Sequence, residues 1–315
     1  MNKKYVMAVM AILLITPIAA NGAIRTEANV QTPALAIIDT AIDSSLPIFQ
    51  GRIIQEVCIL EWNTCPNKTS FMEDPGSAIL PLDILASRDF NHGTQVSSIA
   101  ANANKNMNIV FIRMIGNTST GSRQIAGPRT VEMALQWIIT NQQKYNIQAV
   151  SISQGHHNLK GGMDYCPLNN KVPALIGSLK NIGVPVFSAV GNDRDYQKID
   201  WPSCIPDTIA VGATMVGASG KQDEIAIYSN NDNALLDFFT DGSARAYVPG
   251  GAEVNAAGTS MSAPIAAAKW IAVKSAKPNL SYDQIYQLLK NTSKPTRGRQ
   301  GYFTKLLDAE AAING

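Results

Sequence analysis

The chain predicts an α/β fold with a mostly parallel central sheet and helices on both faces. Three observations carry this. Short, continuous apolar runs of strand length recur along the chain, and helical patterns fall between them. No linker, repeat or low-complexity segment interrupts residues 34–315, which read as one domain. Continuous apolar runs suit strands buried on both faces, and strand–helix alternation is how parallel neighbours are connected. A chain of 315 residues is long enough to bury a substantial core.

The N-terminus stands apart from that core. Met1-Asn2-Lys3-Lys4 is basic, residues 5–20 are apolar, and Asn21-Gly22-Ala23 follows. A charged start, an apolar run and small residues make residues 1–22 a cleavable signal peptide, with cleavage after Ala20 or Gly22. The run holds Pro17 and falls short of the roughly 20 residues of a membrane span; a retained anchor is the competing reading. Residues 23–33 form a short segment ahead of the core. No later apolar stretch has spanning length, so no stable membrane insertion is expected once the signal is removed. The expected location is outside the cytoplasm, periplasmic or secreted. The formal net charge of +2 gives no electrostatic case for a nucleic-acid partner.

An exported chain can keep disulfides. The four cysteines allow three connectivities. Cys58 and Cys65 lie close together and are paired here, which leaves Cys166 with Cys204. Free buried thiols are the alternative. No Cys-x-x-Cys spacing suggests zinc or redox chemistry.

In chain order, the predicted strands are residues 35–38, 108–113, 148–152, 184–190 and 208–213. The predicted helices are residues 92–103, 130–145, 172–181, 261–275 and 282–290, the last capped by Ser281 after Pro278-Asn279. In such sheets the active crevice lies at the carboxyl ends of the strands. Asp39 directly follows the first strand, and Gly191-Asn192-Asp193 follows the fourth. His92 opens a helix in the stretch Asp89-Phe90-Asn91-His92-Gly93-Thr94. Each has an ordinary explanation in isolation: a turn carboxylate, a turn asparagine, a surface or core histidine.

The most specific stretch is Gly258-Thr259-Ser260-Met261-Ser262-Ala263-Pro264. The glycine allows a tight turn. Ser260 then stands at a helix mouth, where backbone N–H groups lack internal partners and welcome a negative oxygen. Pro264 has no N–H to donate to the Ser260 carbonyl, so the backbone there is irregular.

With Asp39, His92, Asn192 and Ser260 in this order, the chain resembles the subtilisin-like serine peptidases, the subtilases. The resemblance runs from residue 34 nearly to the end. It includes Ser151-Ile152-Ser153-Gln154-Gly155, Trp201-Pro202-Ser203-Cys204 leading to Ile209-Ala210-Val211-Gly212-Ala213, and a closing helix over residues 306–313. It implies a subtilisin-like three-layer fold and a serine endopeptidase working through an acyl-enzyme. Ser260 would be the nucleophile, His92 the general base, Asp39 its orienting acid and Asn192 an oxyanion-hole donor. Ser151, Ser153 and Gly155 would pair with an extended peptide by β-augmentation. Asp193 stands beside Asn192, either near the pocket for the side chain before the cut, favouring basic residues, or as a solvated turn carboxylate.

The family pattern is not kept everywhere. Ala41 replaces a glycine after Asp39-Thr40, and Gln95, Ser97 and Ser98 depart from the pattern after His92-Gly93-Thr94. Ala41, Gln95 and Ser98 are what favours the alternative, a catalytically impaired subtilase-fold protein acting as a peptide-binding module. A lipase or esterase is disfavoured because no Gly-x-Ser-x-Gly elbow is present. No cofactor is implied. Ile48 stands where many subtilases have a calcium-ligating aspartate, and residues 101–108 offer no carboxylate, so no calcium site of that type is predicted. The segment between signal and first strand is too short for the usual folding propeptide, so the chain either folds without one or uses a separate folding helper.

Overall fold

The structure is a computed structural model. It describes residues 32–315 apart from 119–120, 125–126, 157–165, 218–219, 222, 233 and 299–300. The expected signal peptide, residues 1–22, lies outside the described residues. The strands are β1 (Ala34–Asp39), β2 (Ile53–Ile59), β3 (Phe71–Met72), β4 (Asn108–Arg113), β5 (Ile147–Ile152), β6 (Val186–Ala189) and β7 (Ile209–Met215). They continue with β8 (Glu224–Ile225), β9 (Phe238–Asp241), β10 (Ser243–Tyr247), β11 (Glu253–Ala257), β12 (Lys294–Gly298) and β13 (Gly301–Leu306). The helices are α1 (Leu82–Leu85), α2 (His92–Ala103), α3 (Pro128–Asn141), α4 (Val172–Asn181), α5 (Thr259–Ala276), α6 (Tyr282–Thr292) and α7 (Ala309–Asn314).

One sheet runs β3-β2-β4-β1-β5-β6-β7-β8-β12-β13-β9, and β7 also pairs with β9. The run β2-β4-β1-β5-β6-β7 is parallel throughout. β10 and β11 form a separate hairpin leading into Gly258. Side chains alternate across the sheet as strand geometry demands. Along β1, Ala34, Ala36 and Ile38 enter one apolar cluster and Leu35 and Ile37 the other. The first cluster is covered by α3 and α4, through Leu135, Ile138, Ile176 and Leu179. The second is covered by α2, α5, α6 and α7, through Val96, Ala266, Leu289 and Ala312. Helices therefore cover both faces, as expected.

Helices 92–103 and 172–181 match in full. Ser281 makes a complete capping box with Gln284. The closing helix begins at Ala309, capped by Asp308, because Leu306 belongs to β13. β2 was not anticipated. Its run Ile53-Ile54-Gln55-Glu56-Val57-Cys58-Ile59 carries a carboxylate, yet Glu56 is buried. Ser44 Oγ (2.8 Å) and the Ala78 N–H (3.3 Å) donate to it. Both expected disulfides are present, Cys58–Cys65 and Cys166–Cys204, with Cα separations of 5.9 and 6.1 Å. Among the described residues, no helix is long and apolar enough to cross a membrane.

Candidate active site

Asp39 ends β1 and is fully buried, with 0% of its side chain exposed. The start of α2 is fastened to this strand end. Thr40 Oγ1 donates to the Phe90 carbonyl (2.8 Å) and accepts the Gly93 N–H (3.0 Å). The approach is close enough that only glycine fits at 93: a Cβ there would lie 2.2 Å from the Ala41 carbonyl oxygen and 2.7 Å from Phe111 Cζ. Ala41 itself is not at a positive φ, and it is buried in the apolar cluster, so its methyl group is accommodated. Ser98 also has a place: its hydroxyl donates to the Gln95 carbonyl (2.8 Å) and accepts the Tyr247 N–H (2.9 Å), tying α2 to β10.

This junction sets His92 Nδ1 2.8 Å from Asp39 Oδ1. The same oxygen accepts the Thr40 N–H (2.7 Å) and the Gln154 amide (3.1 Å). Burial pushes the Asp39 carboxyl up. The charge and hydrogen bond of His92, the Thr40 N–H and the Gln154 amide together outweigh that and hold it below the usual carboxylate range. The acid therefore stays ionised at neutral pH although it is buried.

Ser260 lies in the first turn of α5, after Gly258 at φ 147°. Its carbonyl is the one that Pro264 leaves unpaired. Ser153 Oγ donates to that carbonyl at 2.8 Å. In return the Ser260 hydroxyl donates to the Ser153 carbonyl at 3.2 Å. No hydrogen bond joins Ser260 to His92 among the described residues. Ser260 contacts Ser153 and His92 contacts the side chain of Gln154, the next residue, so nucleophile and base both meet the segment that follows β5.

Asn192 follows β6 and is exposed. Its Oδ1 accepts both the Thr259 N–H (3.0 Å) and the Thr259 hydroxyl (3.2 Å). An N–H can only donate, so the amide oxygen faces α5 and the Nδ2 donors face away. Thr259 Oγ1 also accepts the Gly191 N–H at 3.2 Å. Gly191 takes φ +100°, and a Cβ there would fall 2.4 Å from Asp200 Cγ.

Of the expected peptide-pairing residues, Ser151 lies inside the sheet, paired to Ile37 and Phe187 and 1% exposed. Ser153 stands just beyond the strand, and Gly155 is exposed against the Trp201 carbonyl. Asp193 is exposed, and its N–H donates to Asn230 Oδ1 at 2.8 Å. Asn230 also donates to the buried Asp200 at 3.0 Å. Gln154, Thr259 and Asp200 were not singled out from the sequence. The available signal was a polar residue directly after a buried strand, or directly beside a recognised motif. Ile48 packs against the second apolar cluster and offers no oxygen. Among the described residues, no group of three or more His, Cys, Asp or Glu side chains could hold a metal ion.

Comparison with known proteins identifies the family and the fold. The chain is 26% identical over 247 residues to alkaline elastase YaB of Bacillus sp. (strain YaB), covering 75% of this chain and 59% of that one. It is 26% identical over 290 residues to subtilisin E of Bacillus subtilis (strain 168), covering 88% of this chain and 65% of the relative. It thus spans less than two thirds of the length of these relatives. In three dimensions it resembles the protease domain of PatA, with a TM-score of 0.68, 16% identity and coverage of 93% and 97%. A protease from Pseudoalteromonas arctica superposes with a TM-score of 0.66 at 18% identity over 91% of each chain. The architecture is the subtilisin-like α/β fold. The family description "Subtilase family" matches residues 31–309, from before β1 to the start of α7, and the chain accordingly belongs to the subtilases.

Proposed function

We propose that the chain is a serine endopeptidase acting through Asp39, His92 and Ser260. The observation that carries this reading is the 2.8 Å pairing of a buried aspartate with His92, beside the helix mouth that bears Ser260. Ser260 Oγ leaves the Ser153 carbonyl, gives its proton to His92 Nε2 and attacks the peptide carbonyl. Histidine suits this role because it gains and loses a proton near neutral pH. Asp39 holds Nδ1–H and stabilises the imidazolium. The Asn192 Nδ2 and the Ser260 N–H receive the oxyanion. The imidazolium then protonates the leaving amine, and water attacks the acyl-enzyme by the reverse of these steps.

Substrates are proteins or peptides, laid in extended form along the backbone at Ser153–Gly155. Asp193, exposed beside Asn192, would favour lysine or arginine before the cut if it faces that side chain, and is otherwise a solvated turn carboxylate. In this reading residues 1–22 direct export to the periplasm or medium and residues 34–315 form the catalytic domain. A second reading, a peptide-binding module without catalysis, is favoured by the Ser260 hydroxyl resting on Ser153 and not on His92.

Digestion of a peptide library, read by mass spectrometry, tests the first reading. Wild type is expected to cut after basic residues and Ser260→Ala not to cut. A folded wild type that cuts nothing overturns the peptidase reading. Equal cutting by Ser260→Ala removes the role of Ser260, and cuts without basic enrichment remove that of Asp193.

A further inference from the structure

Gln154 directly follows β5 and is half-buried. Its amide nitrogen stands 3.1 Å from Asp39 Oδ1 and 2.9 Å from His92 Nδ1. Its amide oxygen accepts a 2.6 Å hydrogen bond from Arg123 Nη2. Arginine has no acceptor, so it fixes which way the amide faces: oxygen toward Arg123, NH₂ toward the acid and base. Arg123 is itself tied to the histidine segment. Its N–H donates to Asp89 Oδ2 (3.2 Å), three residues before His92, and it bridges Asn117.

We infer that Gln154 is a positioning residue for the Asp39–His92 pair and that Arg123 is the anchor that orients it. This rests on the peptidase reading above. Nδ1–H is committed to the Asp39 carboxylate, because a bare nitrogen 2.8 Å from a carboxylate oxygen would repel it. The Gln154 N–H therefore also goes to Oδ1, which sets two donor nitrogens 2.9 Å apart on one acceptor oxygen. Three donors then converge on one carboxylate oxygen, from Thr40, His92 and Gln154, while the buried Oδ2 has no hydrogen-bond partner among the described residues. The amide limits the swing of both groups and supports the buried, ionised acid. Gln154 also adjoins Ser153, which holds Ser260, so consecutive residues position the base and the nucleophile.

The test uses the full chain with Gln154→Leu, which keeps the bulk and removes the amide, and the exposed Arg123→Ala as a second variant. Expected for Gln154→Leu is a fall in kcat of about tenfold, the scale of one hydrogen bond to a charged group, with KM within about twofold. Arg123→Ala gives a smaller fall, and the double variant is no worse than Gln154→Leu alone, because both act through one contact. The low-field proton resonance of His92 Nδ1–H should shift or broaden in both single variants. That signal needs no turnover, so it tests the inference even if the protein is not a peptidase. Unchanged kcat in an active wild-type background, or an unchanged His92 resonance in both folded variants, overturns the inference. An inactive wild type overturns the peptidase reading instead.

Discussion

Asn192 turns its amide nitrogen away from α5 because Thr259 takes its oxygen twice. A donor locked in this way needs no reorganisation when negative charge develops beside it. Asn192→Ala is expected to lower kcat by about 10²–10³-fold, the cost known for removing one such donor from a subtilisin, with KM little changed. Steady-state kinetics on one peptide checks this, and a fall in kcat of less than about threefold would remove Asn192 from the oxyanion hole. Asp39, His92, Asn192 and Ser260 were all legible in the sequence because each sits in a short local motif. Gln154, Arg123 and Asp200 were not. Gln154 acquires its role from Asp39, 115 residues away, and from Arg123, 31 residues away, and no local pattern records either approach.

Elements show the same division. The parallel strands β1, β4 and β5 were legible because burial on both faces demands unbroken apolar runs. β2 was hidden by Glu56, whose partners lie at Ser44 and Ala78. β12 carries Lys294, Pro295, Arg297 and Gly298 in place of an apolar run, and it pairs mainly with β13. The junction of β1 with α2 is where one element most depends on one residue. Gly93→Ala would drive a methyl group into the Ala41 carbonyl and Phe111, so α2 must move from the strand end. A loss of about 1–3 kcal/mol in unfolding free energy is expected, with activity falling as His92 leaves Asp39. Denaturant titration measures it, and a loss under about 0.5 kcal/mol would show that the contact yields at little cost.

At the scale of the molecule, the fold gathers distant segments at the carboxyl ends of the parallel strands. β1 delivers Asp39, the turn into α2 delivers His92, and β5 and β6 deliver Ser153 and Asn192 to the mouth of α5. Cys166–Cys204 ties the approach to α4 to the loop after Trp201, under the Gly155 side of the site, and by loop closure contributes about 4 kcal/mol. The departures from the family pattern do not break this assembly: Ala41 is buried in the core and Ser98 bonds α2 to β10. In the proposed function Ser260 is a nucleophile activated by His92 and Asp39. Incubating the full chain with a fluorophosphonate probe tests it most directly. One probe per chain is expected, on Ser260, with labelling lost in Ser260→Ala and strongly slowed in His92→Ala. A folded chain that takes up no probe, or takes it up on another residue, would contradict it.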